Sequence, residues 1–187
     1  MATGRCADVK MGPWQLNEWL GEPLRFEFAR GIRFGTSAGQ PTPSRPAGRR
    51  QAHRGEIVDV LDSEAWIAKR DERRIGIIAA RPDGQDTVEL AALLVTEPGR
   101  GIGSALIEAT LEAVRRRGTR LVWAVTTNDN LEALRLYQRR GFRIAAVRPG
   151  AVDRARATLK PGIPEVAANG IPIRDEIELK IVFERDL

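Results

Sequence analysis

At 187 residues the chain has room for one domain with a proper core plus a tail, and too little for two domains. The formal net charge of +5 is concentrated at one end: residues 1–54 hold Lys10 and eight arginines against Asp8, Glu18, Glu22 and Glu27, so the balanced remainder is no general polyanion binder and no nucleic-acid partner is expected. Cys6 is the only cysteine and His53, in a polar loop, the only histidine, which excludes an intramolecular disulfide and sets aside metal-ligand clusters and histidine-based nucleophilic triads. No apolar run nears the ~20 residues that cross a bilayer, and the N-terminus lacks the long apolar core of a signal peptide, so a soluble, cytoplasmic protein is expected.

Residues 1–12 carry no usable pattern. From Pro13, the spacing of Leu16, Trp19 and Leu20 suits a short amphipathic helix that stops at Gly21. Leu24, Phe26, Phe28, Ile32 and Phe34 alternate with polar or small residues, as in a half-buried strand or two strands parted by Gly31. Gly35 to Arg50 is rich in Gly, Pro, Ser and Thr and nearly free of apolar residues, and reads as a linker. Ala65 to Ala68 and Ile75 to Ala80 flank Asp71-Glu72-Arg73-Arg74 as an antiparallel hairpin, and Pro82-Asp83-Gly84 turns into a third strand, Val88 to Val95, completing a meander. A helix from Ile102 carries Ile102, Ala105, Leu106, Ala109 and Ala113 down one face and ends with Arg115-Arg116-Arg117 before Gly118, cations and glycine where a helix C-terminus favours them.

Leu121 to Val125 is continuously apolar, as for a strand covered on both faces in a parallel context. Asp129 or Asn130 caps the next helix, in which Asn130, Ala133, Leu134 and Tyr137 share a face, and Gly141 closes it. Phe142 to Val147 is a strand whose expected partner is Glu176 to Phe183. Between them, Arg148 to Asp175 is long for a connection inside a domain, which is usually functional or partly helical, and Pro149, Pro161, Pro164 and Pro172 argue for a loop with fixed bends. Asp153, Asp175 and Glu176 are candidates to hold an amine there, with bracing of the last hairpin the simpler role for most of them.

The stretch from Glu89 to Gly141 organises the rest. A strand runs through Pro98-Gly99-Arg100-Gly101-Ile102-Gly103 into a helix, and a second strand runs through Asn128-Asp129-Asn130 into another, so two helix starts face one side of a parallel strand pair. Their unpaired N–H groups, with a glycine turn that admits close approach, suit an anionic, phosphate-bearing cofactor. The glycine spacing fits neither frame of a dinucleotide-binding G-x-G-x-x-G, since Ser104 and Leu106 stand at the sixth positions, and the lysine of a nucleoside-triphosphate loop is absent.

Arg100-Gly101-Ile102-Gly103-Ser104-Ala105-Leu106, followed by Asn128-Asp129-Asn130-Leu131-Glu132-Ala133-Leu134-Arg135-Leu136-Tyr137 and Gly141-Phe142, resembles the two cofactor motifs of the GNAT acetyltransferase superfamily. The resemblance spans roughly Gly55 to Phe183 and divides the chain into a poorly matched segment, residues 1–50 with its linker at 35–50, and an acetyltransferase domain, residues 51–187. It implies an α/β (α+β) fold, in which a mixed, mostly antiparallel sheet flanked by helices splays at its central parallel strand pair.

It further implies acetyl-coenzyme A as co-substrate. Gly99, Arg100, Gly101, Ile102, Gly103 and Ser104 match the turn that holds the pyrophosphate; Leu94, Val95, Asn130, Ala133 and Tyr137 complete the cofactor-binding set. The family's Arg or Gln is replaced by Pro98, leaving Arg100 to supply positive charge. Tyr137 matches the general acid that protonates the departing thiolate, and is equally placed to be a core tyrosine. Glu89 matches the carboxylate that deprotonates the acceptor, and is equally placed to begin its strand at the surface. The implied activity is acetyl transfer to a primary amine, on a small molecule or peptide, by direct attack; a non-catalytic acetyl-coenzyme A-binding regulatory module is the alternative. A homodimer is compatible with the family, and nothing in the sequence compels one.

Overall fold

A computed structural model of the chain describes residues 25–30, 50–59, 63–71 and 73–184, with 25–30, 50–53 and 57–59 described by backbone alone. The helix expected at Trp14 to Leu20 and the linker up to residue 49 lie outside the described residues. In chain order the elements are β1 (Arg25–Arg30), β2 (Arg50–His53), β3 (Glu56–Asp59), β4 (Glu64–Arg70), β5 (Arg73–Pro82), β6 (Thr87–Val95), α1 (Ile102–Arg116), β7 (Leu121–Thr127), α2 (Leu131–Arg139), β8 (Arg143–Arg148), α3 (Ala151–Thr158) and β9 (Glu176–Val182). No helix among the described residues is long and apolar enough to cross a membrane.

Seven of these strands form one sheet in the order β1-β4-β5-β6-β7-β9-β8, and β2 and β3 form a separate hairpin. The predicted meander is β4-β5-β6, and the predicted final pair is β8-β9, both antiparallel. Arg25–Arg30 supplies the edge strand beside β4, so the sheet reaches across the boundary expected at residue 51. His53, expected in a polar loop, ends strand β2 instead, because the loop reading missed a hairpin that closes at Arg54-Gly55.

The central pair is parallel and short. Thr87, Val88 and Glu89 face Leu121, Val122 and Trp123, and pairing stops there. Beyond that point β6 carries an extra residue: Ala79 faces Ala92 while Ala80 faces Leu90, leaving Ala91 as a bulge. A bulge bends its strand and increases its twist, and this one turns the last half of β6 away from β7. The gap that results is the splay expected between these two strands.

The main core lies between the sheet and α1. Ile75, Ile78, Leu90, Val122, Ala124 and Leu179 from the strands are buried against Ile102, Leu106, Ile107 and Val114. Gly76 lets the helix settle directly on β5, since a Cβ there would stand 2.9 Å from Ile102 Cγ2 and Leu106 Cδ1. The buried stripe is Ile102, Ala105, Leu106, Ile107, Thr110 and Val114, rather than one running through Ala109 and Ala113, which are half-buried. The helix rolls toward its larger side chains, and Thr110 tolerates the core because its hydroxyl donates to Leu106 O at 2.8 Å.

The long connection is partly helical and not a bent loop throughout: α3 is capped at Gly150, in left-handed conformation. Arg156 braces it, donating through Nε to Ile163 O and through Nη2 to Pro164 O and Ile173 O, and through Nη1 to Asp153 Oδ1. Asp175 Oδ1 accepts the Gly150 N–H at 2.8 Å. Asp175 thus ties the start of α3 to the start of β9, while Asp153 pairs within α3.

Candidate active site

Because β6 and β7 run parallel and each leads into a helix, the starts of α1 and α2 lie at the same end of the sheet, where the gap opens. On the α1 side the chain leaves β6 pinned by Thr96, whose N–H and hydroxyl both donate to Ile75 O, at 2.9 and 3.1 Å. Glu97 is held by Arg70 at 2.8 Å. Gly99 and Gly101 then take positive φ, 79° and 74°, a conformation costly to any residue with a Cβ. The first helical bond runs from Ala105 N to Gly101 O, so the N–H groups of Ile102, Gly103 and Ser104 precede it and point out of the helix end. No acidic residue stands in this first turn, and Arg100 is exposed beside it. Gly103 brings α2 close: a Cβ there would meet Leu136 Cδ2 at 3.3 Å.

On the α2 side Asn130 is the cap, its Oδ1 accepting the Ala133 N–H at 3.2 Å, which decides between the two candidates for that role. The preceding Asn128 fastens the turn to the long connection. Its Oδ1 accepts the N–H groups of Arg174 and Asp175, both at 3.0 Å, and its Nδ2 donates to Pro172 O at 2.9 Å. Asn169 Nδ2 donates to Asp129 O at 2.9 Å. Sequence reasoning missed Asn128 as an anchor; its partners lie more than forty residues away.

Tyr137 is buried within the main core, its ring centroid 5.2 Å from that of Phe142. Burial pushes its phenol up to about 12. Glu89 does not begin its strand at the surface: it is 1% exposed, on the last rung of the parallel pair. It points away from α1, and its Oε2 accepts from Arg81 Nε at 3.0 Å and Nη2 at 2.5 Å. Tyr137 and Glu89 thus belong to opposite faces of the sheet at the splayed strands. Leu94 and Val95 lie on β6 beyond the last rung. Between α1 and α2, Arg140 pairs with Glu108, whose carboxyl is raised by burial, an effect that guanidinium only partly offsets.

The face that Glu89 occupies is rich in charge. Trp123 on β7 and Glu176 and Glu178 on β9 share it, and the tip of the β2–β3 hairpin covers them through Arg54. Arg148 pairs with Glu178.

The profile described as the Acetyltransferase (GNAT) family matches residues 35–142. The chain belongs to this family. Over 126 residues the GNAT chain is 44% identical to the uncharacterized protein YdhI of Bacillus subtilis (strain 168), covering 67% of its own length and 77% of that protein's. The solved acetyltransferase of Bacillus subtilis in complex with CoA is 25% identical and superposes with a TM-score of 0.59 over 65% of this chain and 78% of that one. A GNAT family acetyltransferase from Elizabethkingia anophelis, solved with acetyl-CoA bound, is 23% identical and shares the fold over 86% of this chain and 98% of its own, with a TM-score of 0.61.

Proposed function

We propose that this GNAT protein transfers the acetyl group of acetyl-coenzyme A to a primary amine by direct attack. One observation carries the reading: a gap between β6 and β7 that opens where two helix N-termini converge. The solved relatives that hold CoA or acetyl-CoA support the choice of co-substrate. The glycine cradle fits a pyrophosphate, since its positive-φ turn exposes successive N–H groups and no carboxylate stands in the first turn of α1. Gly99, Arg100, Gly101, Ile102, Gly103 and Ser104 hold that group. Leu94 and Val95 on one side, with Asn130 and Ala133 on the other, receive the pantetheine arm, and the β6 edge beyond Glu89 offers main-chain groups to it.

The acceptor amine attacks the thioester carbonyl, so that a C–N bond forms as the C–S bond breaks. N–H groups of β6 beside the bulge stabilise the oxyanion. Tyr137 gives its proton to the departing sulfur, and Glu89, ion-paired with Arg81, takes the ammonium proton directly or through water. The acceptor approaches from the Glu89 face, opposite the main core that holds Tyr137.

Calorimetric titration of acetyl-coenzyme A, beside an assay of thiol release with a panel of amines, tests the reading. Tyr137→Phe is expected to lower the release rate by about 10²-fold while leaving coenzyme affinity within about twofold, because the substitution removes only the hydroxyl. Binding without release on any amine identifies a non-catalytic module; absence of binding removes the proposed activity altogether.

A further inference from the structure

The indole of Trp123 is bracketed by charge. Its Nε1 donates to Asp83 Oδ2 at 2.9 Å, and the guanidinium of Arg54 lies over the ring, its central carbon 4.7 Å from the centroid. Arg54 Nε stands 3.8 Å from Glu178 Oε2 and Nη1 stands 4.0 Å from Asp83 Oδ2. Its backbone N–H donates to Glu176 Oε2 at 3.0 Å. A cation from the hairpin is therefore seated on an aromatic face between two carboxylates, on the same side of the sheet as Glu89.

Anchor and occupant are separable here. The turn is fixed through the main chain, by a carboxylate that is 3% exposed. The Arg54 side chain keeps 46% of its surface in solvent and meets both carboxylates at the outer limit of ion pairing. Contacts of that length and exposure hold a side chain weakly. Among the described residues, Arg81 on this face pairs with Glu89, and Arg148 pairs closely with the same Glu178 oxygen that Arg54 meets at 3.8 Å, so Glu178 is shared between a tight partner and a loose one. An indole face flanked by carboxylates is the surrounding that protein sites give to alkylammonium and guanidinium ligands.

We propose that Trp123, Asp83 and Glu178 form a cation subsite for the acceptor, filled at rest by Arg54 and yielded to a second positive group on the substrate. This rests on the reading of the Glu89 face as the acceptor side. It names the acceptor class as amines carrying a further cationic group, such as diamines and guanidinoalkylamines.

The turn supplies the test variant. Arg54 and Gly55 both have positive φ, 53° and 81°, the pattern of a type I′ hairpin turn, for which Asn-Gly is the preferred pair. Arg54→Asn therefore keeps the turn and its N–H to Glu176 while removing the guanidinium. Titrating 1,5-diaminopentane and pentylamine into the full chain, with and without coenzyme A, reads the subsite directly. The diamine is expected to bind Arg54→Asn roughly threefold or more tightly than the unaltered chain, the effect of vacating one cation–π position. Pentylamine is expected to change little, and Asp83→Asn and Glu178→Gln to weaken the diamine. Equal binding of the two amines overturns the proposal. So does weaker diamine binding by Arg54→Asn, which would make Arg54 part of the site and not its occupant. The binding readout stands apart from turnover: failure of acetyl transfer appears as absent thiol release with the titrations unaffected.

Discussion

Tyr137 illustrates how placement prepares a single group. Packed against Phe142 and nearly removed from water, its phenol is raised to about 12 by burial. The folded site thus binds this proton more tightly than an exposed tyrosine does; the protonated form is intact below pH ~10 and is lost only as pH climbs toward 12. The rate of thiol release is expected to rise with deprotonation of the acceptor amine and to show no descending limb below about pH 10. A descending limb near pH 8 to 9 that vanishes in Tyr137→Phe would count against a buried phenol as the acid. That Tyr137 shares a face with Asn130, Ala133 and Leu134 was legible from their spacing, because a helix fixes which residues share a face; its candidacy as the acid came from the family resemblance alone. The partner of Glu89 was not legible. Arg81 faces it only because of the strand register, and the bulge at Ala91 resets that register within the same strand pair.

At the scale of elements, the connection from Arg148 to Asp175 behaves as a brace fastened at the second helix start. Asn128 bonds three main-chain groups of residues 172–175, and Asn169 returns a bond to Asp129. Asn128→Ala is expected to destabilise the protein by about 1–3 kcal/mol, several partly exposed hydrogen bonds being lost together. Hydrogen exchange at residues 170–175 should accelerate with it. Exchange that stays unchanged there would show that the connection is held by other contacts. Helix α3 could not be located from the sequence because only Val152 and Ala155 are buried among its eight residues, too few for a stripe. The β2–β3 hairpin escaped because its turn places an arginine at positive φ, where the usual signal is Asn or Asp before Gly. Its strands, Arg-Gln-Ala-His and Glu-Ile-Val-Asp, lack a sustained apolar alternation. By contrast β4, β5 and β6 were readable, since turn signals bound apolar runs of strand length.

For the molecule as a whole, the strand order was not legible in the sequence: the last two strands were read as a pair, but no local pattern says that β9 inserts between β7 and β8. The N-terminal strand, too, could be read as a strand but not placed, because its position beside β4 depends on partners far along the chain. The three-rung contact at the centre has a mechanical meaning. It joins a four-stranded half, β1-β4-β5-β6, to a three-stranded half, β7-β9-β8, and beyond Glu89 and Trp123 the inner rims of the two halves pair with no strand among the described residues. A bound pantetheine arm would lie along that seam much as an added strand lies along a sheet edge. The co-substrate would then act as mortar as well as reactant. Its binding is expected to slow amide exchange on both rims at once, at residues 90–95 and 124–127, and to sharpen thermal unfolding into a single cooperative step at higher temperature. Protection confined to one rim would mean that the two halves respond separately.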